Sequence, residues 1–266
     1  MIDQNTSEAV IQIRNLNKSY GDHQVLKGVD LDVYPGQVIG YIGPNGAGKS
    51  TTVKILVGLD SDFEGQVHVK GIDVRQDPLA VKRIIGYVPE LTELYDVLTP
   101  MEYLLLIGRL HKMSDEDIKH RAKRLLDYFA LAERVDDRMD SFSKGMRQKV
   151  LLISGLLHDP QIIFLDEPLA GLDANSVIMV KDIVARLAQN GKTIFYCSHM
   201  MDVVEKVSDR IVLIDDGRIV AQGTLQELRQ GGNASLEAMF SQLTGFEDKA
   251  SNTDDFIDAF QKRDDA

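Results

Sequence analysis

A single cysteine, Cys197, stands in the 266 residues, so no disulfide can close within the chain and the composition suits a reducing, cytoplasmic compartment. Lying in an apolar run, that cysteine reads as a small core side chain. Long apolar stretches are lacking as well. VLLISGLL at 150–157, the longest, falls far short of the roughly 20 residues that cross a bilayer, which predicts that no part of the chain spans a membrane. The opening MIDQNTSEAV has neither a basic lead nor an apolar run and does not read as a secretory leader. Basic residues are in deficit: 30 Lys and Arg stand against 41 Asp and Glu, a formal net charge of −11. Neutralising a phosphate backbone takes a clustered cationic excess, so nucleic acid is excluded as the main partner. The mixed charges of 112–124 read instead as a solvated helix face. What remains is an ordinary globular composition, 44% hydrophobic, in a length able to bury one large core with a smaller appended subdomain.

The strongest local signal is GPNGAGKST at 43–51, which follows the apolar run 38–42 and opens the helical run 52–59. Gly43, Gly46 and Gly48 let the backbone turn its N–H groups inward on an anion, with Pro44, Asn45 and Ala47 between them. The helix that follows adds the positive end of its dipole. Lys49 can then reach the outer phosphates of a nucleoside triphosphate, Ser50 is placed to ligate magnesium, and Thr51 completes the loop.

A second element, IIFLDEP at 162–168, is a wholly apolar run that reads as a buried parallel strand ending in two carboxylates. Asp166 suits the magnesium-holding aspartate of phosphoryl-transfer sites, and Glu167 is available as the base that orients water for attack on the γ-phosphate.

Periodicity supplies the organisation. Alternating runs at 10–14, 29–33 and 66–70 predict an antiparallel flap, while the more apolar runs at 38–42, 162–165, 193–197 and 211–214 predict a central sheet in an α/β layered core. From 90 to 158 the pattern turns helical. Thr99-Pro100-Met101-Glu102 reads as a capping box with proline at the first helical position, Ser114 to Asp117 as a second cap, and 150–157 as a helix returning to the core. The tail 246–266 is rich in Asp, Asn and Ser and reads as flexible, with 254–262 as a candidate short amphipathic helix.

Three further landmarks follow in order: SFSKGMRQK at 141–149, AGLD at 170–173, and His199 just after the strand at 193–197. The first resembles the signature segment of ABC ATPases, usually LSGGQ. The second resembles their D-loop, ending at Asp173, and the third their switch histidine. Tyr20, in NKSYGDHQVL, sits where that family places an aromatic residue that stacks on adenine. Over residues 10 to 245 the chain resembles the ATP-binding subunit of an ABC transporter.

The resemblance implies a P-loop NTPase core of RecA-like fold with an antiparallel β flap, over 1–89 and 159–235. It further implies an inserted α-helical signature subdomain over 90–158 and a carboxyl-terminal extension over 236–266. Two subunits would pack head to tail, a homodimer around two Mg-ATP, with Ser143 and Gly145 of one contacting the ATP held by Lys49 of the other. Magnesium falls to Ser50, Asp166 and Glu90. His199 would hold the γ-phosphate and sense its loss.

Three positions depart from the family pattern: Glu90, Lys144 and Met146, the last standing where the signature usually has glutamine. GYVPE at 86–90 carries Glu90 where the Q-loop generally closes on glutamine, which keeps an oxygen for magnesium or water and adds a negative charge beside Asp166 and Glu167. FSKGM places Lys144 where a glycine is usual. That lysine either brings a cation to the partner's γ-phosphate or turns into solvent.

A membrane permease is the implied partner, holding the chain on the inner face of the cell membrane. The stretch ELTELYDVLTPM at 90–101 is its docking surface if Leu94, Tyr95, Val97 and Leu98 face outward, and plain subdomain packing if they do not. The pairing of GYVPE with FSKGM, followed by SLEAMFSQLTG at 235–245, resembles the bacterial exporter branch that handles drugs, polysaccharides or other membrane-borne solutes through a separate permease chain. An importer ATPase is the nearest alternative. A soluble non-transport ABC ATPase is more distant, since one set of motifs argues against a double-cassette translation factor and the short helical insert against a chromosome-maintenance coiled coil.

Overall fold

The computed structural model describes residues 8–229 and 235–244. The tail at 246–266, with the candidate helix at 254–262, lies outside the described residues.

Chain order explains the layers. Strands β1 (Ile11–Tyr20) and β2 (His23–Val33) form a long hairpin whose residues alternate between buried and exposed, as a half-covered antiparallel sheet requires. Strand β3 (Val38–Ile42) is buried at every position and leads into α1 (Lys49–Leu56). Strands β4 (Glu64–Val69) and β5 (Ile72–Asp73) complete the flap, a four-stranded sheet in the order β2-β1-β4-β5. Helix α2 (Pro78–Ile84), capped by Asp77, runs straight into β6 (Ile85–Val88). Three helices then intervene: α3 (Pro100–Leu110), α4 (Asp115–Tyr128) and α5 (Lys144–Leu156). After them come β7 (Ile162–Asp166), α6 (Ala174–Gln189), β8 (Thr193–Ser198), α7 (Met201–Val207), β9 (Arg210–Asp215), β10 (Arg218–Gly223), α8 (Leu225–Leu228) and α9 (Leu236–Thr244).

The central sheet has six strands in the order β10-β9-β3-β8-β7-β6, parallel except for β10 at its edge. Apolar layers cover both faces. On one, Ile13, Leu16 and Leu31 of the flap pack with Tyr41, Phe164 and Phe195, whose rings Tyr41–Phe195 and Phe164–Phe195 lie 5.1 and 5.7 Å apart between centroids. On the other, Ile194 and Leu213 meet Val180 and Val184 of α6, and the apolar faces of α3, α4 and α5 continue the same cluster. Among the described residues no helix is long and apolar enough to cross a membrane.

Register decides where chemistry can gather. Ile42 pairs with Ser198, and Asp166 with Cys197. The carboxyl ends of β3, β7 and β8 therefore stand level, the position where open parallel sheets hold ligands.

Both caps foreseen for the helical insert are present. Thr99 Oγ1 accepts from the Glu102 N–H at 3.2 Å while Glu102 Oε2 accepts from the Thr99 N–H at 2.9 Å, and Ser114 Oγ accepts from the Asp117 N–H at 3.1 Å. The flap strands run longer than the alternation at 10–14 and 29–33 suggests, because register shifts at Ile13/Leu16, Leu16/Asn17 and Lys18/Ser19 interrupt the two-residue period. Helix α1 starts at Lys49 rather than at 52, since Gly48 at φ 104° already forms its cap. Helix α5 rides directly on β6: a Cβ on Gly86 would lie 2.2 Å from the Gly155 carbonyl oxygen, so only glycine permits the approach.

Candidate functional site

The phosphate loop is fastened to the sheet from beneath. Thr52 Oγ1 donates to the Gly48 carbonyl at 2.9 Å and lies 3.2 Å from the Tyr41 hydroxyl, which joins the first turn of α1 to β3. Lys49 is 7% exposed, and its ammonium donates to the carbonyls of Gly43 at 2.8 Å and Pro44 at 3.1 Å. Neutral carbonyls bind a cation less strongly than phosphate oxygens do, so the loop holds the charge in readiness for an anion. Lys49→Ala is expected to weaken ATP binding about 10- to 100-fold, the equivalent of one charge-assisted hydrogen bond of about 1.5–3 kcal/mol. Equilibrium dialysis with ATP checks this, and near-native affinity would remove Lys49 from the site.

A cleft of about 540 Å³ opens over the loop. Asn45, Gly46, Gly48, Lys49, Ser50 and Thr51 form its floor, with Glu90, Glu167 and His199 on its walls. His23 and Val25 from β2 also line it. Sequence reasoning passed over both, because nothing local marks a strand residue as facing a cleft built by a distant loop.

Asp166 ends β7 at 2% exposure, and its Oδ1 has no hydrogen-bond partner. Burial pushes its carboxyl up to about 6, with the Glu90 and Glu167 charges adding to the rise and the Ser50 hydroxyl and Lys49 opposing it. A bare buried carboxylate oxygen beside a serine hydroxyl fits a hard divalent cation. No group of three or more His, Cys, Asp or Glu side chains is placed to hold a metal among the described residues. A cation here would therefore complete its shell with phosphate and water oxygens.

Glu167 adopts φ 47°, a left-handed backbone that costs a non-glycine residue roughly 1–2 kcal/mol. The bend lets two neighbouring carboxylates, which a straight strand would send to opposite faces, approach one site. Three donors hold Glu167: Ser198 Oγ to Oε2 at 3.1 Å, and both the backbone N–H and Nδ1 of His199 to Oε1 at 2.9 Å. Against a carboxylate, Nδ1 must carry the proton, which leaves Nε2 for another partner.

The structure does not bring every candidate into this cleft. Tyr20 stands at its margin, half exposed. Ser143 caps α5 by accepting from the Met146 N–H at 3.2 Å. Lys144 is exposed, but its stem is laid along Gly171: Cγ, Cδ and Cε lie 3.0–3.1 Å from where a Gly171 Cβ would be. Gly145 approaches the Gly171 carbonyl. Asp173 caps α6 through the Ser176 N–H at 2.9 Å and the Ser176 hydroxyl at 2.7 Å, which hold its carboxyl below the usual range. These residues form a second surface, outside the cleft lining.

Gln148, fully buried on α5, joins the two regions. Its Oε1 accepts from Thr92 Oγ1 at 2.7 Å, and its Nε2 donates to the Pro168 carbonyl at 3.2 Å, one residue beyond Glu167. A polar residue on the apolar face of a helix is the signal that could have found it.

Residues 26–170 match the family described as ABC transporter. The linearmycin resistance ATP-binding protein LnrL of Bacillus subtilis is 35% identical over 234 residues, covering 87% of this chain and 75% of that protein. The chain belongs to the ABC transporter family. Nod factor export ATP-binding protein I of Cupriavidus metallidurans is 35% identical over 220 residues, 83% of this chain and 73% of that one. A dimeric ATP-binding cassette solved in a post-hydrolysis state with ADP and Pi superposes with a TM-score of 0.75 at 27% identity, covering 81% of this chain and 98% of that one. The chain is thus an ABC transporter ATP-binding subunit with the mixed α/β fold of the P-loop NTPases, and its reaction is ATP hydrolysis. The ABC match takes in the phosphate loop, the signature segment, Asp166 and Glu167, and stops short of Asp173 and His199.

Proposed function

We propose that this ABC ATPase powers export, closing head to tail with a second copy around two Mg-ATP while docked to a separate permease on the inner face of the cell membrane. One observation carries the reading. Lys49, Glu167 and His199 line one cleft with Asp166 at its base, whereas Ser143, Lys144 and Gly145 start α5 outside that lining. Each chain then offers half of two sites. The dimeric cassette it resembles and the export and resistance functions named for its relatives support the same reading.

Within each site Tyr20 stacks on adenine and Lys49 binds the outer phosphates. Ser50, Asp166 and Glu90 would hold Mg2+, which would neutralise charge on the phosphate oxygens. Glu167 takes the proton of a water attacking the γ-phosphorus as the bond to the bridging oxygen breaks. His199 orients Glu167 and contacts the γ-phosphate through its remaining nitrogen. Ser143, Lys144, Gly145 and Asp173 complete the site of the other copy.

The helical subdomain, 90–158, transmits closure to the permease. In its docking stretch Tyr95 and Val97 are exposed at 64% and 65%, while Leu94 and Leu98 pack into the core. Beside them a groove of about 280 Å³ is lined by Leu59, Tyr87, Glu93, Tyr103, Ile107 and His111.

The test is to recover tagged Glu167→Gln chain from native membranes solubilised with ATP. A multi-spanning permease in comparable amount is the expected companion. Recovery from the soluble fraction alone, or with ribosomes or DNA, would overturn the transport reading. A permease that co-purifies with a periplasmic solute receptor would favour import instead.

A further inference from the structure

Lys18, two residues before Tyr20 in β1, is 4% exposed. A buried ammonium must be matched by acceptors, and here they come from the loop after α1. The Nζ donates to Asp60 Oδ1 at 3.0 Å, to Asp62 Oδ2 at 3.2 Å and to the Asp62 carbonyl. The same Nζ lies 4.6 Å from the centroid of the Tyr20 ring. Asp60 is used twice, because its second oxygen, Oδ2, accepts from the Tyr20 hydroxyl at 3.0 Å. One carboxylate therefore clamps both the cation lying over the ring and the phenol at the ring's edge.

The clamp is tied to the helix that follows the phosphate loop. The Asp60 N–H donates to the Lys54 carbonyl in the last turn of α1 at 3.2 Å. Across the hairpin Tyr20 pairs with His23, which lines the cleft. An aromatic platform on a hairpin end would otherwise be free to change rotamer, and ordering it would cost affinity at every binding event.

We propose that Lys18 and Asp60 are positioning residues for the nucleotide base, fixing the Tyr20 ring and tying it to α1 so that base platform and phosphate loop form one rigid unit. The inference rests on Tyr20 acting as the adenine platform.

The test compares two ligands on the full chain by titration calorimetry: ATP, and inorganic tripolyphosphate, which has no base. Lys18→Met and Asp60→Ala are expected to weaken ATP binding about three- to tenfold, the scale of a lost cation–π contact and a freed ring. Tripolyphosphate affinity should not move, which also reports an intact fold, and Lys18→Arg should restore ATP binding. Loss of both ligands in parallel would mean that the pair merely supports α1, and unchanged ATP affinity would mean that the ring needs no clamp. Either result overturns the proposal while Tyr20→Ala still weakens ATP alone. If Tyr20→Ala leaves ATP affinity intact, the platform reading itself falls.

Discussion

Glu167→Gln is expected to bind ATP with near-native affinity and hydrolyse it roughly 10²–10⁴-fold more slowly, the usual contribution of a positioned general base. The geometry makes this substitution clean. The amide oxygen of glutamine can still accept from the backbone N–H and Nδ1 of His199, and its NH2 can meet the Ser198 hydroxyl as an acceptor, so all three contacts to Glu167 have a counterpart. Only basicity is lost. With hydrolysis blocked, ATP should hold two copies together, which size-exclusion chromatography reads as a dimer beside single-turnover phosphate release. Turnover at the native rate would move the base role away from Glu167, with Glu90 as the next carboxylate on the cleft wall.

Asp166→Asn should have two large effects of opposite sign: loss of ATP hydrolysis and a more stable nucleotide-free chain. The carboxyl titrates at about 6 in the fold against an ordinary 3.8, so ionising it costs about 2–3 kcal/mol of folding stability. Between those two values the native state binds the proton that the unfolded state has released, and stability therefore falls as pH rises from 3.8 to about 6 and stays lowered above. The asparagine carries no such penalty. At pH 8 without nucleotide it should melt about 4–10 °C higher than the native chain, and near pH 4 the two should melt together. A variant that is less stable than the native chain at pH 8 would show that the buried charge is compensated in the native fold. The residue best placed for a cation is, by this reasoning, a stability cost accepted for chemistry.

What could be read from the sequence was local. The glycines of the phosphate loop, the two carboxylates after an apolar run, and the Thr99 and Ser114 caps each carry their meaning within a few residues. Strands β3, β7 and β8 are buried at every position and announce themselves as unbroken apolar runs. Pairings across long separations left no such trace. Lys18 looks like one more surface lysine on a flap strand until Asp60, 42 positions on, folds over it. Bulges in β1 hid half of the hairpin, and β6 is too short to show any period before Pro89 ends it. Of the four apolar residues at 94–98, two turned inward and two outward, a division that only packing against the rest of the subdomain decides.

The Gln148 amide has one further property. It accepts at one end, from Thr92 in the stretch proposed to dock, and donates at the other, to the carbonyl that follows Glu167. Asparagine carries the same planar acceptor and donor, but it is a methylene shorter. The connection is accordingly polarised: a carboxylate at 148 would keep the Thr92 end and lose the Pro168 end. If the permease docks at 90–101 as proposed, Gln148 links that stretch to the residue after Glu167 through one plane, and a carboxylate at 148 would break the linkage at its Pro168 end alone.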